Sequence, residues 1–242
     1  MKNSIEVINL SKSYKTKKAV NNISFKIDEN EIVGLLGPNG CGKTTTIGMI
    51  LGLLKPTSGQ VLINGKDIEK NKISILHKMN FISPYIELPK KLTVKQNLIV
   101  YGKLYNIQNL NERINFLSEK LRLGDLLDKI TGELSSGQKN RVSLAKALIN
   151  DPTVLLLDEP TAALDPETAD FIRTFLEKYK EEKKISVLLA SHNMDEVKRL
   201  CNSVMMMKDG TIVDSGTPED LIRKYGQKNL EEVFLEIVRK DK

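Results

Sequence analysis

The sequence predicts an α/β fold in which helices wind around a mainly parallel sheet. Three observations lead there. The stretches "IVGLL", "TVLLLDEP" and "ISVLLAS", each with an apolar run at its centre, read as strands buried on both faces, as in a parallel sheet covered by helices. After each comes a stretch of helical character, "KTTTIGMILGLL", "PETADFIRTFLEKYKEEKK" and "NMDEVKRLC", so the chain alternates strand with helix. Asn64-Gly65 and Asp209-Gly210 are hairpin signals.

Taken in order, "IEVINLSKSY" and "ISFKIDEN" alternate apolar and polar side chains, the pattern of edge strands, and lead into the buried run "IVGLL". The helix "KTTTIGMILGLL" is expected to close at Lys55-Pro56, because proline cannot continue it. "GQVLINGKDI" carries the first hairpin turn. From about residue 90 to 148 the pattern becomes helical, in "LTVKQNLIVYGKLYNI", "NERINFLSEKLRLGDLLDKI" and "ITGELSSGQKNRVSLAKALI", ended by Asp151-Pro152. This block interrupts the alternation and reads as a helical sub-lobe. Strand and helix then resume until "SVMMMKDGTIVDSG", a pair turning at Asp209-Gly210. "TPEDLIRKYG" and "NLEEVFLEIVRK" close the chain as two short amphipathic helices.

At 242 residues there is room for one large domain with a sub-lobe, and little room for two unrelated ones. The composition, 40% hydrophobic and 28% charged with no Trp, is that of a soluble globular protein. No apolar run approaches the roughly 20 residues of a membrane helix, and "MKNSIEVINL" lacks the apolar core of a signal peptide. The chain is therefore expected in the cytosol unless a partner holds it at a membrane. Its net charge of +6 comes from scattered lysines and its aromatics are only 5%, so nucleic acid is not an expected partner. Cys41 and Cys201 stand far apart in unlike contexts, which indicates neither a disulfide framework nor a zinc site.

Two helix starts in this chain seek negative charge. Gly37-Pro38-Asn39-Gly40-Cys41-Gly42-Lys43-Thr44, followed by Thr45, satisfies G-x-x-x-x-G-K-[ST] between a buried strand and a helix. The glycines let backbone N–H groups close on a β-phosphate, Lys43 adds a charge at the β/γ oxygens, and Thr44 offers a hydroxyl to Mg²⁺. "TVLLLDE" delivers Asp158 and Glu159 to the C-terminal end of a strand, where ligands of such sheets bind. There Asp158 is expected to hold Mg²⁺ through its water shell, and Glu159 to take a proton from an attacking water. His192 follows a third parallel strand and is positioned to orient a γ-phosphate, whereas His77 has no such setting and reads as structural. The second helix start is Ser135-Ser136-Gly137-Gln138, whose first turn is expected to be left free for an anion. Cys41, at a helix N-terminus beside Lys43, is expected to have a lowered thiol pKa and to be alkylated unless nucleotide protects it.

Taken together, "LSSGQ" before a helix, the phosphate loop, "LLLDEPTAALDP" and "SH", in this order and spacing, resemble the ATP-binding subunit of an ABC transporter over essentially the whole chain. The resemblance implies a P-loop NTPase with a mainly parallel core sheet, an antiparallel β subdomain and an inserted helical subdomain. It implies a single domain over 1–242, with 1–89 and 151–218 as the nucleotide-binding core, 90–150 as the helical subdomain and 219–242 as C-terminal helices. ATP and Mg²⁺ are the implied cofactors. A second cassette, as a homodimer, and a separate transmembrane permease are the implied partners, which places the subunit peripherally on the cytoplasmic face of the cell membrane. Two copies in such a family stack head to tail, so that the phosphate loop of one and the "LSSGQ" helix start of the other grip one ATP.

By the same resemblance, Tyr14 matches the aromatic that stacks on adenine, and Ser135, Ser136, Gly137 and Gln138 match the signature that meets the opposite γ-phosphate. Asp165 matches the loop that couples the two sites. Ser136 stands where the family often has Gly, adding a hydroxyl near a phosphate. Pro84 falls where the family usually has a Gln that touches Mg²⁺ and the attacking water, so slow but real turnover is expected, with Ser83 or Tyr85 covering part of the role. "YIELPKKL" is expected to meet the coupling helix of the permease. The tail "NLEEVFLEIV" resembles that of ATPases serving ABC-2 type exporters, which favours export over import. A regulatory module that holds ATP with little hydrolysis is the alternative that Pro84 and Ser136 keep open.

Overall fold

The computed structural model describes residues 3–15, 17–84 and 86–239. Tyr85, named above as a possible substitute for the missing Gln, lies outside the described residues. A six-stranded sheet forms the centre, from β3 (Ile32–Leu36), β6 (Met79–Ile82), β7 (Val154–Asp158), β8 (Ser186–Ala190), β9 (Ser203–Lys208) and β10 (Thr211–Gly216). Its order is β10-β9-β3-β8-β7-β6, parallel throughout except for the edge strand β10. Every residue of β3, β7 and β8 is buried, which is why these strands are continuously apolar rather than alternating.

The alternation of side chains across the pleat divides those apolar residues between two cores. Val33, Leu35, Leu156, Leu188 and Met205 face the core shared with a four-stranded antiparallel sheet. That sheet is built from β1 (Asn3–Tyr14), β2 (Lys17–Asp28), β4 (Ser58–Ile63) and β5 (Lys66–Asp67), and α1 (Lys43–Ile50) packs into the same core. Ile32, Leu36, Leu155, Leu157, Val187 and Leu189 face the other way, into a core shared with the helices that follow β6.

Three elements depart from the expectation. β1 is interior, paired with β2 on one side and β4 on the other, so of the two strands expected at an edge β2 alone is one; the long-range partner β4 leaves no mark on local alternation. α1 stops at Ile50 rather than running to Leu54: Gly52 turns left-handed at φ 64°, and Leu53 and Leu54 fold back to bond the Gly48 carbonyl. The segment 111–130 is not one helix. α4 (Leu110–Lys120) ends where Arg122 adopts φ 53° and the Leu123 N–H reaches the Ser118 carbonyl, so Leu121 and Leu123 can both be buried. Short 3₁₀ turns, Gly124–Leu126 and Thr131–Glu133, follow. The structure also contains two elements the patterns do not announce, α2 (Ile68–Leu76), interrupted at Asn71, and the strand β6.

Between β6 and β7 stand α3 (Val94–Leu104), α4 and α5 (Ser136–Leu148). α6 (Pro166–Lys183) and α7 (Met194–Leu200) connect β7, β8 and β9. Both hairpin turns are as expected, with Asn64-Gly65 and Asp209-Gly210 all at positive φ. The closing helices are α8 (Pro218–Tyr225) and α9 (Leu230–Arg239); α9 buries Leu230, Val233 and Ile237 against its own domain. Among the described residues no helix is long and apolar enough to cross a membrane.

Candidate functional site

Four adjacent strands, β3, β8, β7 and β6, deliver their C-terminal ends to one side of the sheet, and the phosphate loop, Asp158, Glu159 and His192 lie at or just beyond those ends. The first loop, after β3, is pinned on both sides. A Cβ on Gly37 would collide with the Met207 carbonyl and the Cys41 sulfur, and Gly42, at φ 115°, lies against the Ala19 carbonyl. Glycine is thus required at both positions, for space at the first and for space and conformation at the second. The Lys43 side chain is buried and curls back so that its Nζ donates to the carbonyls of Gly37 at 2.6 Å and Pro38 at 3.2 Å, which holds the ammonium inside the loop.

Cys41 corrects the expectation of an activated thiol. Its side chain is only 3% exposed, and burial pushes its pKa up by more than the neighbouring Lys43 charge pulls it down. The charge was legible in the sequence, but the packing of the thiol under the loop was not.

After β7 come the two acids. Asp158 is buried, with the Ser83 Oγ from the end of β6 at 3.4 Å from its Oδ2. Burial, and then the charge of Glu159, raises its carboxyl above the usual range. Glu159 takes a left-handed backbone, φ 51°, while its N–H donates to the Ala190 carbonyl at 2.8 Å. That geometry turns its side chain toward the end of β8, where its Oε1 lies 2.7 Å from the Nδ1 of His192. The imidazole is largely exposed and the carboxylate largely covered, so the pair sits at the mouth of the cleft.

The cleft itself measures about 700 Å³ and is lined by the phosphate loop from Gly37 to Thr45 except Cys41, by Asp158, Glu159 and His192, and by Tyr14. Tyr14 is half exposed, with the Lys12 ammonium 5.2 Å from its ring centroid. Pro84 lines the cleft as well and contributes no polar side-chain atom. Lys17 and Phe234 are among the lining residues that no sequence signal sets apart. Lys17 enters by hairpin pairing with Tyr14, and Phe234 enters from α9, nearly two hundred residues after the loop it faces. For Mg²⁺ the donor set fits: a hydroxyl at Thr44 and a buried carboxylate at Asp158 are hard oxygen donors, and this ion is commonly held by one or two protein groups plus substrate phosphates.

The second helix start is arranged differently from the expectation of a free first turn. Ser135 caps α5 by accepting from the Gln138 N–H at 3.3 Å, while the Gln138 side chain accepts from the Ser135 N–H at 3.0 Å. This capping box engages Gln138 locally. Ser136 borders a smaller, mostly apolar cavity shared with Pro84, Lys139 and Glu159, while Ser135, Gly137 and Gln138 line neither. Asp165 is fully exposed and caps α6 through the Thr168 N–H at 2.9 Å, a bond that holds its carboxyl below the usual range. One chain therefore assembles the phosphate loop, both acids, His192 and Tyr14 around a single cleft, and leaves the "LSSGQ" segment and Asp165 outside it.

Comparison with known proteins agrees with this architecture. The family model described as ABC transporter matches residues 20–162. The ABC transporter ATP-binding protein NatA of Bacillus subtilis is 35% identical over 91% of this chain and 91% of its own length. The Nod factor export ATP-binding protein I of Burkholderia lata is 36% identical over 90% of this chain and 72% of its own. The carnitine transport ATP-binding protein OpuCA of Listeria monocytogenes is 36% identical over 88% of this chain, which spans about half of that relative, 55%. Among solved structures, an ATP-binding subunit of an ABC transporter superposes with TM-score 0.88 at 28% identity, over 96% of this chain and 98% of the other. A dimeric ATP-binding cassette in a post-hydrolysis state with ADP and Pi superposes with TM-score 0.80 at 27% identity, over 88% of this chain and 98% of its own.

Proposed function

We propose, for a chain that belongs to the ABC transporter family as one of its ATP-binding subunits, that it powers export through a separate permease by pairing with a second copy of itself. The observation that carries the catalytic half of this reading is the 2.7 Å contact between Glu159 and His192, held at the ends of neighbouring strands on the same cleft as the phosphate loop. In this reading 1–89 and 151–218 are the nucleotide-binding core, 90–150 is the helical subdomain, and 219–242 closes the chain.

Backbone N–H groups from Gly37 to Thr45 and the Lys43 ammonium hold the phosphates of ATP, and Tyr14 stacks on the adenine. Thr44 and Asp158 hold Mg²⁺, which when bound neutralises charge on the phosphate oxygens. Glu159 accepts a proton from the water that attacks the γ-phosphorus, the bond from that phosphorus to the ADP oxygen breaks, and ADP and phosphate separate. His192, bonded through Nδ1 to Glu159, keeps its other nitrogen for the γ-phosphate. Ser135, Ser136, Gly137 and Gln138, with Asp165, act on the nucleotide of the second copy, which accounts for their position outside this chain's own cleft. Closing that two-chain seam on ATP drives the permease, and hydrolysis reopens it. The subunit thereby sits at the cytoplasmic face of the membrane through its permease.

Purified wild-type protein and Glu159→Gln test the pairing and the chemistry together. ATP-dependent dimers that persist in the variant and dissolve in the wild type support the reading; identical behaviour of the two favours a binding module with little hydrolysis, the alternative motivated by Pro84 and Ser136. Export draws support from the tail "NLEEVFLEIV" and from the relative named for Nod factor export, although another relative is named for carnitine transport. ATP-driven uptake of the permease's cargo into inside-out membrane vesicles supports export, and uptake only into right-side-out vesicles overturns it.

A further inference from the structure

Among the described residues three charged side chains are buried at the C-terminal side of the central sheet: Lys43, Asp158 and Glu196. Lys43 and Asp158 line the cleft, but Glu196, on α7, is completely buried and does not reach it. A carboxyl taken wholly out of water is costly unless its oxygens are bonded, so the partners reveal what it is kept for. Its Oε1 accepts from the Thr161 hydroxyl at 2.8 Å and its Oε2 from the Ser191 hydroxyl at 2.6 Å. Thr161 lies two residues beyond Glu159, and Ser191 immediately precedes His192.

The two hydroxyls thus come from the two loops that present the hydrolytic pair. At their base these loops are joined by the register Asp158 to Ala190 and by the bond from the Glu159 N–H to the Ala190 carbonyl. Glu196 joins them a second time, further out. The bridge is itself anchored: Asn193 caps α7 by accepting from the N–H groups of Asp195 and Glu196, and its own N–H donates to the Ser191 oxygen at 3.1 Å. The Asn140 amide of α5 also donates to the Pro160 carbonyl at 2.6 Å, so the turn after Glu159 is held by both α5 and α7.

We propose that Glu196 is a positioning residue for ATP hydrolysis, whose carboxylate clamps the turn after Glu159 to the strand end before His192 and keeps that pair in register. The inference rests on the reading that Glu159 and His192 carry out the hydrolysis. An apolar side chain of the same length would fill the space but leave the two hydroxyls, and the two loops, unjoined.

The experiment measures kcat, KM and ATP affinity of the full chain for Glu196→Met, Thr161→Val, Thr161→Ser and the double variant Glu196→Met/Thr161→Val. Glu196→Met and Thr161→Val are expected to lose about 10- to 100-fold in kcat with KM and ATP affinity held within about twofold, as for a displaced catalytic pair. Thr161→Ser, which keeps the hydroxyl, restores kcat to within about twofold of wild type, and the double variant is no worse than the poorer single one. A kcat within about twofold of wild type in Thr161→Val overturns the clamp, as do losses that multiply in the double variant or that fall equally on nucleotide affinity. If Glu196→Met does not fold, the Thr161 pair decides. Glu159→Gln serves as the control: unimpaired hydrolysis there sinks the functional reading itself, whereas impaired hydrolysis there beside unimpaired Thr161→Val sinks the clamp alone.

Discussion

Glu159 holds a left-handed backbone that costs a non-glycine residue on the order of 1 kcal/mol, and the bonds around it suggest what the strain serves. The Ala190 carbonyl fixes its N–H, and the side chain is left aimed at His192. Glu159→Gln keeps size and can keep the hydrogen bond, but removes the proposed base. Its turnover is expected to fall about 10²- to 10⁴-fold with ATP binding intact, measured by phosphate release beside nucleotide titration. Cys41 supports a prediction of the opposite sign from the one its neighbours suggest. Because burial outweighs Lys43, its thiol should react with an alkylating agent more slowly in the folded protein than in the unfolded chain, even without nucleotide. Fast labelling of Cys41 in the folded, nucleotide-free protein would contradict this. Two tyrosines give a pH test. Burial, together with the bond each makes to an acid, pushes Tyr179 and Tyr225 up to about 12, above the usual value near ~10. The stability they contribute is therefore complete below about 10 and lost as pH rises through about 12. A phenolate absorbance titration should show two equivalents at about 12, one of which Tyr179→Phe removes.

At the scale of single elements, α5 is stabilised by a reciprocal cap that costs its first turn some freedom to bind anions. Ser135→Ala breaks that cap and is expected to destabilise the isolated chain by about 1 kcal/mol, read from denaturant unfolding. A stability unchanged within error would mean that the capping box contributes nothing to folding. The loop after β6 is the other element with a distinctive chemistry. Ser83 reaches toward Asp158, but Pro84, which lines the cleft, offers no side-chain donor or acceptor. Pro84→Gln is expected to raise ATPase turnover, and an unchanged rate with unchanged coupling to transport would show that the position is not limiting.

The whole molecule is organised by the parallel sheet, whose two faces feed two separate cores. One core carries the antiparallel sheet whose strand β1 ends at Tyr14, and the other carries the helices, of which α5 begins within "LSSGQ". The two halves of the proposed nucleotide site are thereby carried on different parts of one body, and one chain does not bring them together. Light scattering of Glu159→Gln should therefore give twice the monomer mass with ATP and the monomer mass without it. A monomer under saturating ATP would remove the two-chain seam from the mechanism.

Much of this was readable before folding. The phosphate loop, the acids after "TVLLL" and the histidine after "VLLAS" each follow a continuously apolar strand, and local chemistry alone marks such strand ends; the Asn-Gly and Asp-Gly turns were equally local. What the linear pattern could not supply was anything set by partners distant in the chain: the interior place of β1, the strand β6, the entry of Phe234 from α9 into the cleft, the burial that silences Cys41, and the bridge from Glu196 to two loops. Side-chain type, strand and helix period and turn chemistry are encoded within a few residues, whereas burial and hydrogen-bond partnership depend on which distant segments the packed sheet brings side by side.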